Sequence, residues 1–77
     1  MQTTVDLLKK GEKGVIISFD IDKIPLKLIE MGCMVGHLVE LIQVAPFGDP
    51  LYLDMNGTHL AIRKEMAHEI VVEIIRN

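Results

Sequence analysis

An Asn-Gly pair at residues 56 and 57 constrains the fold of this chain more than any other local feature. Flanked by alternating apolar residues, such a pair is the strongest short-range signal for a two-residue β-hairpin loop. The loop fixes the register of its strands, and a slip of one residue would move every leucine to the opposite face. The predicted cross-strand pairs are Met55 with Thr58, Asp54 with His59, Leu53 with Leu60, Tyr52 with Ala61, and Leu51 with Ile62. The three leucines and Ile62 share one face, which predicts a half-buried antiparallel sheet.

Three further segments have the composition of strands, at residues 15–19, 37–44 and 70–75. In the first of them we expect Val15, Ile17 and Phe19 to share the inner face, after a loop punctuated by Gly11 and Gly14. Residues 25–31 predict a helix of about two turns that starts at a proline and ends before a glycine. Single helical turns are expected near residues 4–8 and 64–68.

These elements predict a mainly β fold. We expect a small barrel of about five antiparallel strands, with the short α-helix inserted after the first strand. Closure of the sheet is expected because it is the available way for so short a chain to remove exposed strand edges.

Size and charge limit the possible functions. The 77 residues fit one domain, residues 1–77, and an apolar fraction of 49% supports a packed core. A net charge of −3 with scattered basic residues argues against nucleic-acid binding. The apolar runs are far shorter than the roughly 20 residues that a membrane helix needs, and the N-terminal residues have no signal-peptide pattern. A single cysteine, Cys33, fits a reducing compartment, so we expect a cytoplasmic protein.

The loop at residues 45–50 is the most distinctive candidate contact site. Pro46, Gly48 and Pro50 prevent it from continuing a strand, and they hold Phe47 on a stiff segment that loses little entropy on binding. Phe47 could therefore contact a partner, or it could plug the barrel. Arg63, close to this loop in the hairpin register, could bind a partner carboxylate or the loop's own carbonyl oxygens.

The predicted helix carries more apolar surface than a two-turn element can bury on one side. Leu26, Leu28 and Met31 cover more than one face, and Met34 follows in the next turn. Part of this surface could be left for a partner, or the whole of it could seal one end of the barrel.

The sequence contains little that could support catalysis or metal binding. There is one serine, with no nucleophile elbow or phosphate-binding loop, so we do not expect an enzyme. Cys33 and His37 are weak metal candidates, because a site needs at least one or two more ligands. In the alternative interpretation Cys33 is a small apolar core residue. His59 and Asp54 are expected to form a cross-strand charge pair.

Four blocks of residues resemble the FeoA family of ferrous iron transport accessory proteins, and the resemblance covers nearly the whole chain. The blocks are Leu8-x2-Gly11-x2-Gly14-x-Ile16, Leu28-x2-Met31-Gly32-x3-Gly36, Ala45-Pro46-x-Gly48-Asp49-Pro50 and Leu60-Ala61-Ile62-Arg63-Lys64-x2-Ala67-x2-Ile70-x-Val72. Lys27 and Cys33 depart from the family's pattern, where arginine and a plain apolar residue are expected. The same fold recurs in iron-dependent repressors, but no helix-turn-helix precedes it here.

The resemblance implies an SH3-like barrel and a non-enzymatic role without a required cofactor. It further implies contact with the cytoplasmic part of FeoB, a membrane GTPase that transports ferrous iron, so that the membrane is reached only through that partner. The expected partner-binding residues are Leu26, Leu28, Met31, Met34, Pro46, Phe47, Pro50 and Arg63. One alternative is a transition-metal sensor or chaperone that binds ferrous iron through Cys33 and His37. A generic SH3-like peptide binder is a third possibility, although aromatic residues are scarce.

Overall fold

The computed structural model describes residues 1–76, which contain one six-stranded antiparallel sheet. The strands are β1 (Gln2–Thr4), β2 (Lys13–Phe19), β3 (Leu38–Val44), β4 (Leu51–Met55), β5 (Thr58–Ile62) and β6 (Ile70–Ile75). A single 3-10 turn covers Val5–Leu7, and two short helices, α1 (Leu26–Glu30) and α2 (Lys64–Ala67), follow β2 and β5. The predicted mainly β class and the helix after the first long strand are confirmed.

The sheet has the strand order β1-β6-β2-β3-β4-β5, so β1 and β5 are its edges. Within residues 1–76 no ladder joins these two strands, and the predicted closed barrel is not found. The predicted count of five strands also missed β1. That strand is only three residues long, Gln-Thr-Thr, and has no apolar alternation that a sequence pattern could detect.

The central hairpin has the predicted register at all five pairs, from Met55–Thr58 to Leu51–Ile62. Asn56 and Gly57 have φ angles of 50° and 91°, the left-handed values that a type I′ loop requires at both positions. Asp54 and His59 form the predicted cross-strand pair, with Oδ2 and Nε2 3.2 Å apart.

The predicted inner face of β2 was wrong for Val15 and Ile17 but right for Phe19, which packs against the core. Ile16 is the buried residue, at 1% exposure, whereas Val15 and Ile17 are half-buried. The pairing of β2 with β6 shifts between Ile16 and Ser18, and this bulge reverses the alternation partway along the strand. A similar shift in β3 separates Leu41 from Gln43.

Gly14 lies inside β2 and not in a loop, because the strand needs a residue without a side chain there. A Cβ atom at Gly14 would lie 2.9 Å from Cβ of Val72 on β6, closer than packed side chains approach. The glycine therefore permits the close contact between β2 and β6.

The core packs between the sheet and the short helices. Its buried apolar residues come from every strand except β1, and Leu28 of α1, Ala67 of α2 and Cys33 of the segment after α1 join them. In the described part of the chain no polar or charged residue is buried. The core is therefore entirely apolar and small, and exposed apolar side chains outside it stand out as candidates for binding.

Candidate functional site

Helix α1 divides the apolar residues predicted for it between the core and the solvent. Its five residues leave room for one buried side chain, Leu28, which is 7% exposed. Leu26 is 69% exposed and Met34 is 49% exposed, while Met31 is half-buried. The segment therefore does both things that the sequence allowed. Leu28 seals the core, while Leu26 and Met34 remain exposed to solvent.

The loop at residues 45–50 presents Phe47 entirely to solvent, at 100% exposure, so the interpretation of Phe47 as a plug is wrong. Backbone bonds from Ala45 N to the Pro50 carbonyl (3.0 Å) and from Gly48 N to the Ala45 carbonyl (2.8 Å) close the loop. Asp49 Oδ1 also accepts a hydrogen bond from the backbone N–H of Lys64 at 2.9 Å. The loop is thus tied to the start of α2 and holds its aromatic tip outward.

Arg63 connects this loop to α1. Its Nη1 atom lies 3.9 Å from Oδ2 of Asp49, and its side chain is 75% exposed. Among residues 1–76 no hydrogen bond from Arg63 to the loop's carbonyl oxygens is present, so the predicted loop is right but the predicted acceptor is wrong. An exposed ion pair of this length contributes little stability and leaves the guanidinium available to other carboxylates.

An open groove of about 440 Å³ separates α1 from β5. We call it the edge groove; the residues that line it are Pro25, Lys27, Leu28, Met31, His59, Leu60, Ala61, Ile62, Arg63 and Met66. Three of the predicted partner-binding residues, Leu28, Met31 and Arg63, meet in it. The remaining five do not line it: Leu26, Met34, Pro46, Phe47 and Pro50.

Sequence reasoning missed the part that β5 plays in this groove. Leu60 lies on the predicted apolar face and packs against the core, but it is only half-buried and also lines the groove. Met66 was treated as part of a helical turn, and it packs beside the core and lines the groove. The missing information was the position of β5 at the edge of the sheet, which depends on pairings between distant segments.

The two weak metal candidates, Cys33 and His37, have different surroundings. Cys33 has no exposed surface, and its burial raises the pKa of the thiol from 9.0 to about 11. The thiolate, which is the form that binds metals, is therefore disfavoured at neutral pH. Nδ1 of His37 lies 2.9 Å from the carbonyl oxygen of Gly32. Across residues 1–76, no group of three or more His, Cys, Asp or Glu side chains has an arrangement suited to a metal ion.

No helix within residues 1–76 has the length and apolar character to cross a bilayer. The helices that the structure does contain, α1 and α2, are five and four residues long.

The fold and its surface define a small antiparallel β domain with exposed apolar side chains around a short helix and a stiff loop. A model of the FeoA domain family matches residues 3–74. The chain therefore belongs to the FeoA domain family, as its four sequence blocks predicted.

The chain is also similar to part of a much longer protein from Porphyromonas gingivalis. That protein is described as a fusion of Fe(2+) transport protein A and the Fe(2+) transporter FeoB, and the two sequences are 32% identical over 69 residues. The match covers 88% of this chain but only 8% of the fusion protein.

Two solved structures show the same fold at similar levels of identity. The FeoA-like protein of Clostridium acetobutylicum is 27% identical, with a TM-score of 0.86, and the match covers 99% of this chain and 90% of that one. The zinc-complexed FeoA of Stenotrophomonas maltophilia, described as an SH3 domain protein, is 28% identical with a TM-score of 0.78. That match covers 92% of this chain and 89% of the other.

Proposed function

We propose that this chain is a cytoplasmic accessory domain of a ferrous iron uptake system, and that it acts by binding the soluble part of a FeoB-type transporter. The proposed contact surface consists of the exposed side chains near α1, Leu26, Met31 and Met34, and the loop Pro46–Pro50, with Arg63 between them. We call it the corner surface.

The fusion protein of Porphyromonas gingivalis supports the choice of partner. In that protein a FeoA-type segment and a transporter of the FeoB type form one chain, so the two parts are held at high effective concentration. A separate domain of the same family would have to reach its transporter through a binding surface of its own. The Stenotrophomonas maltophilia relative is described as a proposed bacterial ferrous iron transport activating factor, which is compatible with a role by contact.

The observation that carries the corner surface is the complete exposure of Phe47. Moving a large aromatic side chain out of water lowers the free energy. Aromatic residues are also over-represented among the residues that dominate binding energy. Here the backbone that carries Phe47 is already ordered by hydrogen bonds on both sides of the loop. Little conformational entropy would be lost on binding, which suits a residue that anchors a transient contact.

The charge of the surface also fits a protein partner. Arg63 is exposed, and within residues 1–76 its one ion pair is with the exposed carboxylate of Asp49 at 3.9 Å, so a partner carboxylate could compete for it. The surface is small compared with the roughly 1,200–2,000 Å² that stable complexes bury, so we expect weak, reversible binding.

The test is a titration of the isotopically labelled chain with the soluble part of the FeoB-type transporter from the same organism, followed by NMR. We expect shifts at residues 26, 31, 34 and 46–50. Phe47→Ala should raise the dissociation constant at least about fivefold, because anchor residues of this kind contribute more than 1 kcal/mol.

The matched control is Ile75→Ala, which shortens an apolar side chain that is 40% exposed on β6, outside the corner surface. It should leave the dissociation constant unchanged. Shifts confined to other faces of the sheet, or equal affinity of Phe47→Ala and the unmodified chain, would reject the corner surface. Absence of any shift at high micromolar concentrations of both proteins would reject the proposed partner.

A further inference from the structure

The edge groove runs along the free edge of the sheet. One of its walls is formed by five consecutive residues, 59–63, and the other by α1. Side chains of successive residues in a strand point to opposite faces of the sheet. A groove lined by every residue from 59 to 63 therefore runs along the edge of the strand, where the backbone is exposed. The groove therefore exposes the main chain of β5 as well as its side chains.

The hydrogen-bonding groups on this edge are unpaired. Met55 and Thr58 close the two-residue loop, and in an antiparallel ladder the bonded and non-bonded pairs alternate from that point. His59 and Ala61 consequently direct their N–H and C=O groups away from β4. β5 has no second neighbour in the sheet, and neither residue makes another backbone hydrogen bond within residues 1–76.

The ionisable side chains that line the groove are Lys27, His59 and Arg63, and no carboxylate lines it, although the net charge of the chain is −3. His59 is paired with Asp54 at 3.2 Å and Arg63 with Asp49 at 3.9 Å. In the described part of the chain no carboxylate lies within 4 Å of the Lys27 ammonium group, so the α1 side of the groove carries an uncompensated positive charge.

We propose that the edge groove binds an extended, acidic peptide segment that adds to the sheet as a strand beside β5. Its backbone bonds to His59 and Ala61, an apolar side chain packs on Leu28 and Met31, and a carboxylate lies near Lys27. Strand addition to a free edge is an established mode of peptide recognition, in which backbone bonds supply affinity and side-chain pockets supply specificity. The inference rests on the proposed function only for the identity of the protein that carries the segment.

Two observations favour this occupant over a second copy of the chain. Pairing of two β5 edges would bring the basic groups of two grooves together, and like charges in contact oppose association. The groove also lies between a strand and a helix, so an added strand would be covered on one side by α1. The other sheet edge, β1, is only three residues long and offers far less backbone.

The first experiment uses a pair of capped seven-residue peptides with the central sequence Val-Ile-Val, flanked by glutamates in one and by lysines in the other. We expect the glutamate peptide to shift the amide signals of His59 and Ala61 and to slow their hydrogen exchange at least tenfold. The lysine peptide should bind at least fivefold more weakly. Absence of shifts at both amides with millimolar glutamate peptide, or equal binding of the two peptides, would overturn the proposal.

The second experiment separates backbone pairing from simple apolar contact. Ala61→Pro removes the outward N–H group while leaving the ladder to β4 intact, because proline is tolerated on an edge strand when its nitrogen faces solvent. We expect at least a tenfold loss of affinity for the glutamate peptide. Ala61→Val retains the N–H group and should bind like the unmodified chain. An unchanged spectrum outside the hairpin verifies the fold of each variant, and undiminished binding by Ala61→Pro would overturn strand addition.

Repeating the titrations with the soluble part of the transporter keeps the two proposals distinguishable. Transporter binding that survives in Ala61→Pro but is weakened in Phe47→Ala would overturn strand addition in that complex and support the corner surface. Peptide binding without any transporter binding would support the groove and reject the proposed partner. Sedimentation of the free chain tests for a dimer. If the unmodified chain is dimeric and the Ala61→Pro variant is monomeric, the β5 edge binds a second copy of the chain, and the peptide proposal is overturned.

Discussion

β4 and β5, the two strands of the central hairpin, have the same length and similar alternation but different surroundings. β4 lies between β3 and β5, and its inward residues Leu51, Leu53 and Met55 are at most 2% exposed. In the described sheet β5 pairs with β4 alone, and its Leu60 is half-buried. Two segments joined by a two-residue loop thus differ in how much of their apolar face is removed from water.

The difference shows what apolar alternation encodes. Together with the register that the Asn56-Gly57 loop fixes, it predicted all five pairs of the hairpin and the side chains that share a face there. It does not determine whether a strand is central or at an edge, since that depends on pairing with segments far away in the chain. In this domain the edge position leaves β5 with unpaired backbone and a partly covered leucine, the properties of a binding surface.

Leu53→Ala should give the largest loss of stability, because Leu53 is 1% exposed in the middle of β4, a strand with a neighbour on both sides. Removing its side chain leaves a cavity that neighbouring β3 and β5 cannot fill, and we expect a loss of about 2–5 kcal/mol in the free energy of unfolding. Urea denaturation followed by circular dichroism measures it. A loss below about 1 kcal/mol would mean that the Leu53 side chain is not closely packed in the core.

The pH dependence of the free energy of unfolding tests the burial of Cys33 in the same core. Its thiol pKa is raised to about 11 in the folded chain, above the ordinary value of 9.0, because the site excludes water. Above pH 9 the unfolded chain loses the thiol proton first, so the folded state becomes relatively less stable, by about 1.4 kcal/mol per pH unit up to the folded pKa.

The measurement compares the unmodified chain with Cys33→Ala at pH 8 and pH 10.5. The unmodified chain should lose about 2 kcal/mol more than the variant over this interval. Equal losses would show that the thiol is accessible to solvent in the folded state, and the core behind β4 would then be less closed than the structure indicates.

Leu60→Ala should have the smallest effect of the three, about 1 kcal/mol, because the side chain is already partly in water. Measured under the same conditions as Leu53→Ala, it gives the comparison between edge and centre directly. Equal losses for the two variants would indicate that β5 is covered in solution, as it would be in a dimer, and dilution of the sample would then change the result.

The features that sequence reasoning predicted are those determined by neighbouring residues. Asn56 and Gly57 select the loop type, and Pro46 and Pro50 bracket a loop that cannot extend a strand. Most of the residues predicted to bind a partner are exposed or half-buried, and their role is still a prediction; only Leu28 is mainly a core residue.

The features that were missed depend on contacts between distant residues. Ile16 occupies the core face where plain alternation favoured Val15 and Ile17, and the bulge after Ile16 returns Phe19 to that face. The sequence places Gly14 in a loop, because a glycine in a strand is explained only by its neighbour in the fold. Here that neighbour is Val72, which leaves no space for a side chain at residue 14. Lys27 was noticed as a departure from the family pattern, but its place on the groove required the position of β5.

The position of β6 has a consequence for how the domain forms during synthesis. β1 and β2 do not pair with each other; each pairs with β6, which lies between them, and the amino group of Met1 contacts the carboxylate of Glu73 on that strand. While residues 70–75 are still inside the ribosome, the nascent chain can form the β2-β3-β4-β5 meander. Its first strand, β1, then has no partner. β1 therefore stays unpaired until β6 emerges and pairs with both β1 and β2, which completes the sheet.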